Sequence, residues 1–182
     1  RVRGRAVLEL GSGVGIGGLA AAAHGASVVL TDLSEALPLL AFNAAANTSL
    51  CEHAPAVMPL NWGDGEQVVA AARLAWSCGS ACSPLILCTD VVYDPDMYRP
   101  LLNTLDYLTS SSCMVEPPPI LMAHRSRHED EHAAFFEEAL SLFDMSVLKG
   151  PELPRVFGSG RPPTATVEAV RLILLERRAS GR

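Results

Sequence analysis

Val7-Leu8-Glu9-Leu10-Gly11-Ser12-Gly13-Val14-Gly15-Ile16-Gly17-Gly18 is the stretch on which the reading of this chain turns. The apolar residues up to Leu10 suit a short buried strand. The glycines suit a tight turn, and the small residues from Ile16 suit a helix laid close to a sheet. Asp32 closes the next apolar run, Val28-Val29-Leu30-Thr31-Asp32. Strand, glycine turn, helix, strand and acid, in that order, make a nucleotide-binding βαβ unit.

Glu9, just ahead of the first glycine, bears on the kind of nucleotide. A dinucleotide rests its pyrophosphate on a helix N-terminus. A carboxylate at the mouth of the same turn would oppose it, by roughly 4 kcal/mol for two like charges about 4 Å apart at an effective dielectric of 20. S-adenosylmethionine has no phosphate and carries a sulfonium cation, so an acid-first turn favours it. Gly13, Gly15 and Gly18 do match G-x-G-x-x-G, which keeps an NAD dehydrogenase as an alternative. From Gly11, which follows the strand directly, the spacing is instead G-x-G-x-G-x-G. A third reading is a turn that only lets the helix approach the strand.

With 182 residues, one domain over 1–182 is expected, large enough to bury its own core. Hydrophobic residues make up 49% and charged residues 19%, which excludes a disordered chain. Lys and Arg number 14 against 20 Asp and Glu, a net charge of −6. No basic block suggests a phosphate-tracking surface, so nucleic acid is not the expected partner, and an acidic surface steers basic proteins instead. No apolar run reaches the roughly 20 residues of a membrane span. Five cysteines without a secretion signal imply reduced thiols and a cytoplasmic location, with the nucleus as the alternative. Cys78-x-x-x-Cys82 lacks a second metal-binding pair. His128-Glu129-Asp130-Glu131-His132 meets the zinc-protease spacing formally, but it opens a charged helix with no third ligand evident, so no metal is expected.

Along the chain, strands and helices alternate, predicting a Rossmann-like, doubly wound α/β sheet of seven mostly parallel strands with an antiparallel last strand. Strands are expected at Ala6–Leu10, Ser27–Thr31, Ala56–Leu60, Leu85–Thr89, Ile120–Ala123, Ser146–Leu148 and Val167–Glu176. Helices are expected at Ile16–His24 with Gly25 as its C-cap, from a Ser34 cap to about Asn47, from the loop after Asn61 to Trp76, at Met97–Leu108 and at His128–Phe143. The Gly- and Pro-rich 150–163 connects the last two strands.

Ligands on such sheets lie beyond the carboxyl ends of the strands. That edge collects Glu9, Gly11, Gly13 and Gly15, then Asp32 and Leu33, then Asn61 and Trp62, and finally Asp90 to Asp94. The two carboxylate oxygens of Asp32 suit the ribose hydroxyls. Trp62 offers a face for adenine; the plainer reading is a core aromatic. Asp90 could orient an acceptor amine and Tyr93 could wall its channel; the plainer reading is a turn cap and a packed ring.

These segments together resemble the seven-β-strand protein-lysine methyltransferases grouped as methyltransferase family 16. The resemblance rests on Leu8–Leu19, Leu30-Thr31-Asp32-Leu33, Asn43–Asn47, Leu60-Asn61-Trp62-Gly63, Asp90-Val91-Val92-Tyr93, and Arg127 with Phe135-Phe136, and spans about 6–148. It implies methyl transfer from S-adenosylmethionine to a lysine of a protein substrate; separately from the resemblance, a monomer is expected. The implied cofactor residues are Glu9, Gly11, Gly13, Gly15, Asp32, Leu33, Asn61, Trp62 and Asp90, and the implied catalytic pair is Asp90 and Tyr93. It also implies an upstream tryptophan-bearing segment ahead of Arg1. A small-molecule methyltransferase and a cofactor-binding module without turnover are the alternatives.

Overall fold

In the computed structural model, residues 2–77, 84–110, 116–125, 132–148 and 170–178 are described. The strands are β1 (Ala6–Leu10), β2 (Ser27–Asp32), β3 (Ala56–Pro59), β4 (Leu85–Thr89), β5 (Ile120–Arg125), β6 (Phe143–Leu148) and β7 (Val170–Arg177). The helices are α1 (Ile16–Ala23), α2 (Leu37–Asn47), α3 (Gly65–Trp76), α4 (Tyr98–Ser110) and α5 (Ala133–Ala139). The seven strands form one sheet in the order β3-β2-β1-β4-β5-β7-β6. β1 to β5 pair in parallel, and β7 runs antiparallel between β5 and β6, as the sequence predicts.

β1 is central and buried along its whole length, which accounts for its continuous apolar run. Its side chains alternate between two cores. Leu8 and Leu10 enter the core beneath α3, α4 and α5, with Leu102, Leu105 and Phe135. Val7 enters the core beneath α1 and α2, with Ala22 and Leu40. Each fully buried leucine contributes about 1.5–3 kcal/mol.

Gly25, at φ +86°, ends α1. Its N–H bonds Ala22 O at 2.9 Å and the Ala26 N–H bonds Ala21 O at 3.1 Å, the paired bonds of a Schellman motif. Four expectations shift. α2 starts at Leu37 and not from a Ser34 cap, because the Ala36 N–H closes a turn onto Leu33 O. Pro38 then lies in the first helical turn, where a missing N–H costs nothing. β3 stops at Pro59, which cannot donate to a ladder, although the Leu60 N–H still reaches Asp32 O at 2.8 Å. The helix expected over His128–Phe143 is described only as Ala133–Ala139, with 126–131 outside the described residues. A turn through Leu142 follows, and β6 begins at Phe143 rather than Ser146, because the Phe143 ring is fully buried as the first inward side chain of a strand. Arg177 ties β7 to α4 through an ion pair with Asp106 and a 3.2 Å bond to Thr109 Oγ1. Cys78, Cys82, Cys113 and the 150–163 connection lie outside the described residues.

Candidate active site

The carboxyl ends of β1, β2, β3 and β4 meet around a cavity of about 200 Å³. It is lined by Gly11, Gly13, Asp32, Leu33, Leu60, Trp62, Asp90, Val91, Tyr93 and Met97. Pockets for drug-sized ligands run to roughly 300–1,000 Å³. A nucleoside-sized ligand would therefore be only partly enclosed.

The glycine turn is tied into itself and its neighbours. The Ser12 N–H donates to Thr31 O at 2.9 Å, the Gly15 N–H to Ser12 O at 2.7 Å, and the Gly13 N–H to Asp32 Oδ2 at 2.6 Å. Asp32 Oδ1 accepts the Leu33 N–H at 2.7 Å. Each Asp32 oxygen thus holds one amide and keeps a further lone pair for a ligand hydroxyl. A pyrophosphate would find these N–H groups taken and a carboxylate beside them, so the turn does not suit a dinucleotide. Gly11 sits at φ +61°, and a Cβ there would come 3.0 Å from both Trp62 Cζ2 and Val91 Cγ1. The half-buried Trp62 indole therefore lies against the glycine at the mouth of the turn. A flat ring against a backbone without side chains, opposite a carboxylate, fits an adenine and ribose.

At the other end, Asp90 follows β4 at φ +56°, the one non-glycine residue with positive φ among the described residues. Its N–H is fixed to Ala123 O at 2.8 Å. Positive φ is uncommon outside glycine, Asp being one of the residues that adopt it, and such positions cluster at active sites and ligand clamps. Tyr93 is 62% exposed at the rim. Val92, between them, is buried in the core, so the Asp90-Val91-Val92-Tyr93 run presents Asp90, Val91 and Tyr93 to the cavity.

Not every expected residue lines this space. Glu9 does not stand at the lip of the turn. Strand alternation places it on the Val7 face, 0% exposed, beneath the first turn of α1. There Gly17 and Gly18 make room for it: a Cβ on Gly18 would clash with Leu30 and come within 2.7 Å of Glu9 Oε2, and one on Gly17 would meet Glu9 Oε1 and come within 2.8 Å of Thr89 Oγ1. Thr89 Oγ1 donates to Glu9 Oε1 at 3.5 Å, and Glu9 Oε2 makes no well-aligned hydrogen bond. Burial pushes the Glu9 carboxyl up to about 7, against the opposite pull of Ser12, the Gly18 backbone and Thr89, with Asp32 adding to the rise. The like-charge argument against a phosphate therefore belongs to Asp32. Gly15, at φ +90°, precedes α1 and is buried against Leu40. Asn61 is held by its N–H to Gln67 Oε1 at 2.7 Å, outside the lining.

Asp64 and Asp94 cap the helical turns that follow them. Leu60 and Met97 line the cavity without a sequence signal beyond their place after β3 and before α4. His132 Nδ1 lies 2.6 Å from Tyr98 Oη, and Phe135 is buried in the core. Arg127 and His128 lie outside the described residues.

The profile of a lysine methyltransferase family matches residues 1–141. The chain belongs to this lysine methyltransferase family. Among its relatives, the mouse protein-lysine methyltransferase METTL21E is 36% identical over 140 residues, covering 76% of this chain and 52% of that protein. EEF1A lysine methyltransferase 3 of Xenopus tropicalis is 31% identical, covering 80% and 58%. The chain thus spans about half the length of the curated relatives it matches. In fold it resembles a TehB-like SAM-dependent methyltransferase from Corynebacterium glutamicum, at TM-score 0.60, 14% identity and coverage of 98% and 83%. It also resembles the magnesium protoporphyrin IX methyltransferase of Synechocystis with bound SAM, at TM-score 0.57, 14% identity and coverage of 97% and 72%.

Proposed function

We propose that this protein transfers a methyl group from S-adenosylmethionine to a lysine side chain of a protein substrate. The observation that carries the reading is the pairing, in one cavity, of a glycine turn whose amides are already bonded beside the Asp32 carboxylate with the positive-φ Asp90 and exposed Tyr93. Membership of the lysine methyltransferase family supports it. When bound, the cofactor supplies an electrophilic methyl group on a sulfonium.

The chain's own residues do the rest. Asp32 receives the ribose hydroxyls, and Trp62 flanks the adenine. Asp90 and Tyr93 orient the incoming nitrogen, since correct alignment supplies much of the acceleration of a displacement between bound partners. A lysine arrives protonated, with a pKa near 10.4. The apolar Leu60, Val91 and Met97 beside Asp90 disfavour the ammonium and help its proton leave to water. A net charge of −6 favours a basic substrate segment. We take the working unit to be a monomer in the cytoplasm or nucleus, with neither nucleic acid nor membrane as partner; among the described residues no helix is long and apolar enough to cross a membrane.

Calorimetry with S-adenosylhomocysteine and NADH, then methyl-labelled cofactor in a cell lysate, tests this. Binding of the first ligand alone and label on protein lysines are expected. NADH binding would return the dehydrogenase, label leaving the macromolecules would return a small-molecule acceptor, and binding without transfer would leave a cofactor-binding module. Tyr93→Phe and Asp90→Ala should lower turnover more than cofactor affinity.

A further inference from the structure

The run from Asp90 to Tyr98 bounds one end of the cavity, to which it gives Asp90, Val91, Tyr93 and Met97. Val91 and Val92 are buried, but from Tyr93 to Met97 no residue is. Asp94 closes this exposed stretch into a turn. Its Oδ1 accepts the Asp96 N–H and its carbonyl accepts the Met97 N–H, both at 3.0 Å. Those bonds shape the turn without tying it to the rest of the molecule.

The ties lie at the two ends of the run. At the first, the Asp90 N–H is held by Ala123 O at 2.8 Å. At the second, the half-buried Tyr98, next in the chain after Met97, brings its Oη to 2.6 Å from Nδ1 of the buried His132. His132 packs edge-on to His124, the residue after Ala123, with ring centroids 5.2 Å apart. Both ties therefore converge on the end of β5. The second does not depend on the tautomer, since Nδ1 accepts the phenolic proton in one and donates to the phenolic oxygen in the other. The Tyr98 ring also packs edge-on to Phe135, with centroids 5.5 Å apart, a contact that needs no hydroxyl.

We infer that Tyr98 and His132 are a positioning pair for methyl transfer: their bond fixes the far end of the Tyr93–Met97 turn, and so the place of Tyr93 and Met97 against the acceptor lysine. The inference rests on the reading that Asp90 and Tyr93 receive that lysine. Neither member of the pair lines the cavity. Small misplacements of aligning groups cost a displacement heavily, even when they arise away from the reacting atoms. The cofactor end is held separately. The Gly63 N–H, beside Trp62, donates to Thr104 Oγ1 further along α4 at 2.9 Å, and Asp32 holds the glycine turn. Loss of the pair should therefore reach the acceptor and spare the cofactor.

Methyl-labelled S-adenosylmethionine in a cell lysate, with calorimetry of S-adenosylhomocysteine, tests the pair. Tyr98→Phe keeps the ring and removes the hydroxyl. At saturating cofactor its transfer to protein should fall about tenfold, while the cofactor KM and the affinity for S-adenosylhomocysteine stay within about twofold of the wild type. His132→Leu should do the same, and the double variant should be no worse than either, as for two halves of one interaction. His132→Asn, which sets an amide near the place of Nδ1, should keep most of the transfer. If His132→Leu does not fold, Tyr98→Phe and His132→Asn carry the test. Unchanged transfer by Tyr98→Phe, additive losses in the double variant, or cofactor affinity falling in step with transfer overturns the inference alone. A wild type that binds S-adenosylhomocysteine but labels no protein overturns the lysine reading and the inference with it.

Discussion

Where β1 and β2 end, the backbone is bound to itself and to Asp32, with three amides of the turn held in bonds of 2.6–2.9 Å; one strand away, where β4 ends, Asp90 is held in a left-handed conformation and Tyr93 stands 62% exposed. The first half of the cavity is set before any ligand arrives. The second is strained and open. A site that must hold one constant molecule and admit a varied one gains from such a division, because preorganisation favours the constant partner and exposure accommodates the other.

Asp32→Ala should have the largest effect. It removes the charge-assisted bond to Gly13 of the turn, the one to the Leu33 N–H, and the acceptor for the ribose, and affinity for S-adenosylhomocysteine should fall about a hundredfold by calorimetry. Unchanged affinity would mean that the two halves do not differ as described.

Glu9→Gln probes the packing behind the ordered half. The folded carboxyl keeps its proton up to about 7, whereas the unfolded one loses it near 4.5. The wild type therefore loses stability as pH rises through that window, and the loss is complete above it. The variant lacks this loss, so relative to pH 4 it should gain roughly 2–3 kcal/mol over the wild type at pH 8 in denaturant unfolding. A difference constant with pH would show that Glu9 is not buried as a carboxyl.

Gly18→Ala tests the same packing by size. The new Cβ would clash with Leu30 and press on Glu9, and unfolding should become easier by about 2 kcal/mol. An unchanged melting temperature would mean that α1 does not lie so close to β1.

The smallest shift should come from Asp90→Gly. Glycine adopts φ +56° freely, so stability should rise by about 0.5–1 kcal/mol while turnover falls. A variant that is both more stable and fully active would show that the strain at β4 serves nothing.

The ordered half was the more legible in sequence. Strand, glycine turn and closing acid are a local pattern, and Asp32 and Gly13 meet across only 19 positions. The direction of Glu9 was also open to reading, since it shares its strand face with Val7, and the small Gly17-Gly18 pair opposite was the sign that something had to fit there. Leu60 and Met97 were not legible as lining, because their place depends on how β3 and α4 pack against distant elements. Nor was the start of α2, where Ser34 looks like a cap until the Ala36–Leu33 turn takes its role. Near β6, the periods of helix and strand overlap over Phe135–Phe143, and only the burial of Phe143 against the sheet separates them.

Trp62 has one more consequence. The chain has two tryptophans, and the second, Trp76, lies at the far end of α3, about 16 Å along the helix from Gly65 at 1.5 Å per residue. Anything that settles against Gly11 alters the surroundings of the first indole and leaves the second as it was. The molecule thus carries its own optical gauge of occupancy, with an internal standard, and ligand arrival can be followed by ultraviolet emission without attaching a dye.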